Sequence, residues 1–284
     1  MRGKVVVITG ATSGIGRIAA EALAAQGARI ILVARDPGRA ESTLARLRAV
    51  SAQGALGAQG AHEAHIADLS RLRDAKEIAA RIAAQEPRID VLINNAGNIF
   101  ARRAVTADGL ERTFALNHMA YFVLTHGLRE RLVAAAPARI VNTASGAHRG
   151  HSLDFDDLQM ERRYRALTAY GRSKLANILF TRELARRLAG TGVTANCLHP
   201  GFVATGLGQR GAGFFGTMVR LAMVFAGDPE RGAKTIVHLA ASPDTATATG
   251  GYYVDCRTAQ PSRAARDDAA AQRLWEESLR LARL

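Results

Sequence analysis

The sequence alternates short runs of apolar, β-branched residues with longer segments of helical periodicity. The runs predict strands at residues 5–9, 29–34, 89–94, 139–143 and 193–198, and a short strand that ends near Ile66. The segments between them predict helices that include residues 15–26, 39–50, 110–135 and 168–189. Near-continuous apolar strands separated by helices indicate a parallel sheet covered on both faces. Because such crossovers are right-handed, the expected fold class is α/β with a doubly wound parallel sheet.

The length of 284 residues fits one large α/β domain. Hydrophobic residues make up 48% of the chain and charged residues 22%, which excludes a mainly disordered, collagen-like or coiled-coil protein. Since no internal repeat or linker divides the chain, we predict a single domain over residues 1–284. Within it we expect a cofactor half at 1–100, a catalytic and substrate half at 101–262, and a helical tail at 263–284.

Membrane, metal and compartment signals are weak. No apolar run reaches the roughly 18 residues of a membrane-spanning helix, and the first residues do not resemble a signal peptide. The two cysteines, Cys197 and Cys256, are too few for a disulfide framework or a zinc site. We therefore expect no membrane span, no metal and a cytoplasmic location.

The formal net charge is +13, and only four of the 38 basic residues are lysines: Lys4, Lys76, Lys174 and Lys234. Such a charge suits nucleic acid or an anionic surface. The sequence, however, has no block of five basic residues and little aromatic interleaving. A compositional bias towards arginine is the favoured interpretation, and we expect no nucleic-acid partner.

A glycine-rich turn follows the first predicted strand and opens the first predicted helix. Glycines allow a tight turn and a close approach to a pyrophosphate, and the helix N-terminus offers free N–H groups and a favourable dipole. The alternative is a tight turn with no ligand. The turn predicts these phosphate-binding candidates: Gly10, Thr12, Ser13, Gly14, Ile15 and Gly16.

The end of the second strand bears on the choice of cofactor. A carboxylate there would bond the ribose 2′-hydroxyl of NAD, but this strand ends with Ala34 followed by Arg35. The guanidinium of Arg35 suits a 2′-phosphate, so we predict NADP(H) in preference to NAD(H). The alternative is that Arg35 only reflects the arginine bias.

Tyr170 and Lys174 stand four residues apart in a predicted helix and therefore share one face. A phenol has a pKa near ~10, and a nearby ammonium is expected to lower the pKa of Tyr170 towards useful acid–base chemistry. Ser145 follows the strand at 139–143, at the sheet edge where ligands bind. Asn117 is an unusual polar residue between Leu116 and Met119, and a locally satisfied core amide is its alternative interpretation.

These features resemble the short-chain dehydrogenase/reductase family. The motifs follow the family's order from residue 9 to about residue 205: Thr9-Gly-x3-Gly-Ile-Gly16, Asp68-Leu69, Asn94-Asn95-Ala96-Gly97, Asn117, Ser145, Tyr170-x3-Lys174 and Pro200-Gly201. A narrower resemblance, to the retinol-dehydrogenase-like branch, rests on Asn117-His118, Ser145-Gly146-Ala147-His148, Leu198-His199-Pro200-Gly201 and the Gly251–Cys256 segment. The resemblance implies a Rossmann fold.

The resemblance also implies residue roles. It implies a catalytic tetrad of Asn117, Ser145, Tyr170 and Lys174, the last two also contacting the cofactor. It further implies Asp68 and Leu69 beside the adenine, Asn95, Ala96 and Gly97 along the cofactor, and Pro200, Gly201 and Thr205 at the nicotinamide end. Arg35 matches the arginine that this branch uses for the 2′-phosphate.

The activity implied is hydride transfer between NADP(H) and a carbonyl or alcohol carbon. Leu, Met and Phe at residues 207–225 favour an apolar ketone or aldehyde. The alternatives are an NAD-dependent alcohol dehydrogenase and a non-catalytic NADP-binding redox sensor. A homo-oligomer is expected from the resemblance alone. We also predict a surface loop at residues 51–64 and a C-terminal helix that packs on its own core.

Overall fold

The computed structural model describes residues 1–53, 61–201 and 229–284 and contains an eight-stranded sheet. The strand order is β3-β2-β1-β4-β5-β6-β7-β8, and every neighbouring pair is parallel except β7 and β8. The strands are β1 (Val5–Thr9), β2 (Arg29–Ala34), β3 (Glu63–Ile66), β4 (Val91–Asn94), β5 (Ala138–Thr143), β6 (Val193–His199), β7 (Tyr252–Val254) and β8 (Arg257–Thr258). The direction of winding reverses between β1 and β4, where sheets of this kind bind ligands at the carboxyl ends of the strands.

Helices cover both faces of the sheet, which makes this a single-domain α/β fold of the Rossmann type. The longer helices are α1 (Gly14–Ala25), α2 (Pro37–Gln53), α3 (Leu72–Gln85), α5 (Ala120–Ala134), α6 (Ala166–Arg187), α7 (Pro229–Ala241) and α8 (Asp268–Ala282), and α4 is one short turn (Arg112–Phe114). One apolar core lies beneath α1, α2 and α7, and the other lies beneath α3, α5, α6 and α8. The predicted α/β class is confirmed.

The helix predicted over residues 110–135 begins two residues later than predicted and is not α-helical throughout. The chain becomes helical only at Arg112, because the Glu111 side chain accepts the first free backbone N–H groups, from Thr113 and Phe114 at 2.8 Å. A π-helical segment, Ala115–Met119, then precedes α5. Such wider turns are frequent at functional sites, and this one contains Asn117.

Two other element boundaries differ between the sequence prediction and the structure. Helix α2 begins at Pro37, a residue suited to the first helical position, because the Asp36 side chain accepts the Arg39 N–H at 2.9 Å. At its other end α2 continues to Gln53, and β3 starts at Glu63. The loop predicted at 51–64 is therefore wrong at both ends, because residues 51–53 belong to α2 and residues 63–64 belong to β3. Residues 54–60 lie outside the described residues.

The C-terminal helix α8 packs against α6 on the same molecule, as predicted. Leu274 is buried, and Trp275, Leu279 and Leu281 pack against the core from partly buried positions. The Trp275 ring stacks on Phe180 of α6 with ring centres 5.9 Å apart. The helix therefore braces α6, the element that carries Tyr170 and Lys174.

Candidate active site

A cavity of about 1200 Å³ opens at the carboxyl ends of the central strands. Most of the residues predicted to bind a cofactor line it: Gly10, Thr12, Ser13, Gly14, Ile15, Gly16, Arg35, Asp68, Leu69, Asn95, Ala96, Gly97, Tyr170, Lys174 and Pro200. Among the described residues, Asn117, Ser145 and Gly201 are not part of the lining, and Thr205 lies outside the described residues. The fold therefore gathers into one cavity residues separated by up to 190 positions along the chain.

Backbone geometry explains the glycines of the first turn. Gly10 has a positive φ of 68°, and a Cβ there would lie 2.7 Å from the Ala96 Cα. At Gly16 a Cβ would overlap the Asn95 side-chain amide and lie 2.5 Å from the Gly10 carbonyl oxygen. The tight turn leaves the start of α1 facing the cavity, so these residues fit a pyrophosphate at a helix N-terminus.

Hydrogen bonds fix this turn to the end of β4. The Thr9 hydroxyl oxygen accepts the backbone N–H groups of Asn95 and Ala96, both at 2.9 Å. In return the Asn95 side-chain amide donates to the carbonyls of Thr9 and Gly10, at 3.2 and 3.1 Å. Asn95 lines the cavity, and its side chain braces the two strand ends against each other.

The end of the cavity beyond β2 is lined by two arginines and two aspartates, Arg35, Arg39, Asp36 and Asp68. Arg39 donates to the Thr12 carbonyl at 3.3 Å. Burial would raise the pKa of the Asp68 carboxyl, but two hydrogen bonds from Ser70 and the charges of Arg35 and Arg112 hold that pKa below its usual value. Arg39 was not predicted to line the cavity. Its position in the first turn of the following helix, four residues after Arg35, was a sequence signal that could have identified it.

Lys174 projects from α6 into a site with almost no access to water, where its side chain is 3% exposed. Its ammonium donates to the Thr143 carbonyl at 2.9 Å and lies 5.7 Å from the centre of the Tyr170 ring. Burial lowers the pKa of Lys174 to about 7. The amine can therefore be present in either protonation state near neutral pH.

The pKa of Tyr170 moves in the direction opposite to the prediction. Burial is the largest influence and raises the pKa of the phenol, while a hydrogen bond with the Ser145 side chain lowers it. Desolvation thus outweighs the expected effect of the Lys174 ammonium. Ser145, which lies just beyond β5, is the neighbour that favours the phenolate.

Asn117 has every hydrogen-bonding group of its side chain in use. Its amide donates to the Asn98 carbonyl at 3.0 Å and to the Ser173 hydroxyl at 2.9 Å, and its oxygen accepts the Asn98 N–H at 2.8 Å. A Cβ on Gly97 would lie 3.2 Å from this oxygen and 3.4 Å from the Lys174 nitrogen. Asn117 and Lys174 therefore flank Gly97 without a direct bond between them.

A chain of buried amide and hydroxyl groups supports the carbonyl that holds Lys174. Asn94 donates to Asn142 at 2.9 Å, Asn142 donates to Thr181 at 3.0 Å, and Asn177 donates to the Thr143 carbonyl at 3.2 Å. The Thr181 hydroxyl in turn donates to the backbone carbonyl of Asn177 at 2.7 Å. The sequence names Asn94 in a motif but does not predict the network, because its members are spread over three elements with no common spacing.

The family profile described as short chain dehydrogenase matches residues 4–212 of the chain. Mouse retinol dehydrogenase 12 is 42% identical over 279 residues, covering 98% of this chain and 86% of that protein. The chain therefore belongs to the short-chain dehydrogenase/reductase family and is retinol-dehydrogenase-like. Members of this family are oxidoreductases that act on alcohol or carbonyl groups with a nicotinamide cofactor.

Solved structures show the same fold. An uncharacterized protein from Mycobacterium paratuberculosis superposes with a TM-score of 0.76 at 29% identity, covering 99% of this chain and 94% of that one. The Pseudomonas aeruginosa RhlG/NADP active-site complex superposes with a TM-score of 0.68 at 27% identity, covering 89% of this chain and 94% of that one. In the ranges that the structure describes, no helix has both the length and the apolar character needed to cross a membrane.

Proposed function

We propose that this protein is an NADP(H)-dependent oxidoreductase that interconverts an apolar ketone or aldehyde and the corresponding alcohol. The observation that carries the proposal is the meeting of Tyr170 and Lys174 at one end of the glycine-lined cavity, with Ser145 bonded to the phenol. When bound, the nicotinamide supplies or accepts the hydride.

Each polar residue of this end has a separate task. Tyr170 donates a proton to the carbonyl oxygen during reduction and recovers it during oxidation. Ser145 stabilises the charge that develops on that oxygen. Lys174 holds the ribose beside the nicotinamide, and its low pKa makes it a proton donor to the phenolate. Asn117 fixes Asn98, which follows Gly97, and Ser173 around the amine. A water relay that links Lys174 to solvent past Asn117 stays a prediction.

The proposed preference for NADP(H) over NAD(H) rests on two arginines beside the end of β2. Ala34 ends β2 without a carboxylate, and Arg35 and Arg39 both face the cavity beside it. Guanidinium groups bind phosphate oxygens with paired N–H donors, so two of them suit a 2′-phosphate. The NADP bound to RhlG agrees with this choice.

Apolar side chains favour an apolar substrate. Ile99, Phe100 and Leu116 line the cavity. The apolar segment predicted at 207–225 lies outside the described residues. The retinol dehydrogenases among the relatives are named for an apolar alcohol. Carbonyl reduction is the proposed direction, and the cytoplasmic location and the homo-oligomer stay predictions.

A test combines a substrate screen with a single variant. NADPH and NADH oxidation is followed over a panel of aldehydes and ketones of graded length, with the purified wild type and with Tyr170→Phe. We expect turnover with NADPH on apolar carbonyls and a loss of about 10³-fold in kcat in Tyr170→Phe, because the proton donor is gone. The variant should still bind NADPH with the wild-type Kd.

Two results would contradict the proposal. Comparable turnover by the Tyr170→Phe variant would remove the phenol from the reaction. NADPH binding without turnover of any carbonyl or alcohol in the panel would favour the redox sensor instead.

A further inference from the structure

We propose that His148 is a positioning residue that holds Ser145 in its catalytic geometry by clamping the turn after β5 to the C-terminal segment. The inference rests on the proposed function, in which Ser145 contacts both the substrate oxygen and Tyr170. His148 itself lies behind the turn and touches neither.

The turn that carries Ser145 is short and depends on side-chain contacts for its shape. Ser145 caps a single 3₁₀ turn, Gly146–His148, and its hydroxyl oxygen accepts the Ala147 N–H at 3.2 Å. The His148 ring then folds back, so that its Nδ1 lies 2.6 Å from the Ser145 carbonyl oxygen. The position of Ser145 is thus tied to the orientation of a histidine three residues away.

The second ring nitrogen of His148 reaches a distant part of the chain. The Ser262 backbone N–H donates to Nε2 at 3.1 Å. Ser262 also accepts the Ala265 N–H through its hydroxyl at 3.3 Å, at the start of the short turn that leads into α8. His148 is therefore a bridge between the Ser145 turn and the segment that docks α8 on α6.

These two bonds admit a single form of the imidazole. The Ser145 carbonyl oxygen can only accept a hydrogen bond, so Nδ1 must carry a proton. The Ser262 backbone N–H can only donate one, so Nε2 must be unprotonated. The ring is consequently neutral with its proton on Nδ1. It is fully buried, and burial lowers the pKa of His148, in agreement with a neutral ring.

Packing leaves the ring little freedom to turn. The His148 ring meets Tyr252 of β7 edge-on, with ring centres 5.3 Å apart. Behind the turn, a Cβ on Gly146 would lie 3.1 Å from the His199 ring. Because the displacement of a reacting group by about 1 Å costs up to about 100-fold in rate, a clamp on Ser145 has catalytic consequences.

Two substitutions separate the two bonds. In His148→Asn, the side-chain amide reaches the place of Nδ1 and can donate to the Ser145 carbonyl, while the bond from Ser262 is lost. In His148→Gln, the side-chain oxygen reaches the place of Nε2 and can accept from Ser262, while the bond to Ser145 is lost. Each variant loses one hydrogen bond, so loss of stability alone predicts similar behaviour.

The proposal predicts different behaviour. We expect kcat to fall by about 10- to 100-fold in His148→Gln and by less than about threefold in His148→Asn, with the KM for NADPH unchanged in both. His126→Gln, which alters an exposed histidine of α5 outside the site, is the control and should retain the wild-type kcat. Equal kcat values for the Asn and Gln variants, or a loss confined to KM, would overturn the clamp.

A measurement without substrate keeps the test independent of the proposed function. Ionisation of Tyr170 is followed by phenolate absorbance, as the difference between each protein and the same protein with Tyr170→Phe. Since the Ser145 side chain lowers the pKa of Tyr170, its displacement in His148→Gln should raise that pKa above the wild-type value, and His148→Asn should not. An unchanged pKa of Tyr170 in His148→Gln overturns the inference. If that pKa rises in His148→Gln but the wild type turns over no substrate, only the proposed function is contradicted.

Discussion

The two ends of the cavity are built from different parts of the chain. At the nucleotide end the shape comes from the backbone: glycines bring the turn after β1 within van der Waals distance of Ala96, and Thr9 ties the two strand ends together. At the catalytic end the shape comes from buried side chains, among them Lys174, Asn117 and Asn177. The nucleotide end has its shape because glycines carry no side chain. The catalytic end has its shape because polar side chains are buried in an apolar core.

This difference determines how each end tolerates change. A backbone turn fails when any side chain is added, since there is no space for a Cβ. A buried polar network fails when one partner is removed, since a donor or acceptor is then left unpaired away from water. Substitutions at the catalytic end should therefore affect turnover most, and those at the nucleotide end should affect cofactor affinity.

The largest effect is expected at Lys174, where function and stability oppose each other. We expect Lys174→Met to lower kcat by about 10²- to 10⁴-fold, because the amine next to the phenol is lost. The same variant should unfold at a higher temperature than the wild type near pH 6. Removing a poorly paired buried ammonium relieves a desolvation cost in the folded state.

The pH dependence of this gain follows from the pKa of Lys174. Burial lowers that pKa to about 7 from 10.5, so the unfolded chain binds more protons than the folded one between these values. The wild type therefore gains stability from this residue as pH rises through that window, and its Tm deficit against Lys174→Met should shrink by about pH 9. The exposed Lys234→Met should alter neither kcat nor this pH profile, and a Tm difference independent of pH would contradict the prediction.

Sequence and structure agree best where local spacing carries the information. The glycines at 10, 14 and 16 and the pair Tyr170 and Lys174 are local patterns, and the fold places all of them on the cavity. Thr143, Ser173 and Asn177 could not be predicted, because their contacts join β5, the π-helical segment and α6. The pKa of Tyr170 was misjudged for the same reason, since desolvation depends on packing that a single sequence does not display.

An intermediate effect is expected from one added methyl group at the nucleotide end. Gly16→Ala would place a Cβ against Asn95 and the Gly10 carbonyl, and overpacking of this kind costs about 1–3 kcal/mol. We expect the Kd for NADPH to rise by about 5- to 100-fold, with kcat at saturating cofactor nearly unchanged.

Gly38→Ala is the matched control, because its Cβ would meet only the Asp36 side chain at an ordinary 3.5 Å. This variant should bind NADPH as the wild type does and should be at least as stable. A similar loss of affinity in both variants would mean that the close approach at Gly16 does not shape the cofactor site.

The smallest effect is expected at Arg35, and it tests the proposed preference for NADP(H). Arg35→Ala should weaken NADPH binding about tenfold and leave NADH nearly unchanged, since a hydrogen bond to a charged group contributes at least about 1.5 kcal/mol. Arg46→Ala, which removes an equal charge from an exposed position of α2 outside the cavity, controls for the net charge of the protein. Because Arg39 lines the same end, the double variant Arg35→Ala/Arg39→Ala should lose more affinity than either single variant. Equal losses for NADPH and NADH in Arg35→Ala would assign the arginine to general phosphate attraction and would favour an enzyme indifferent to the 2′-phosphate.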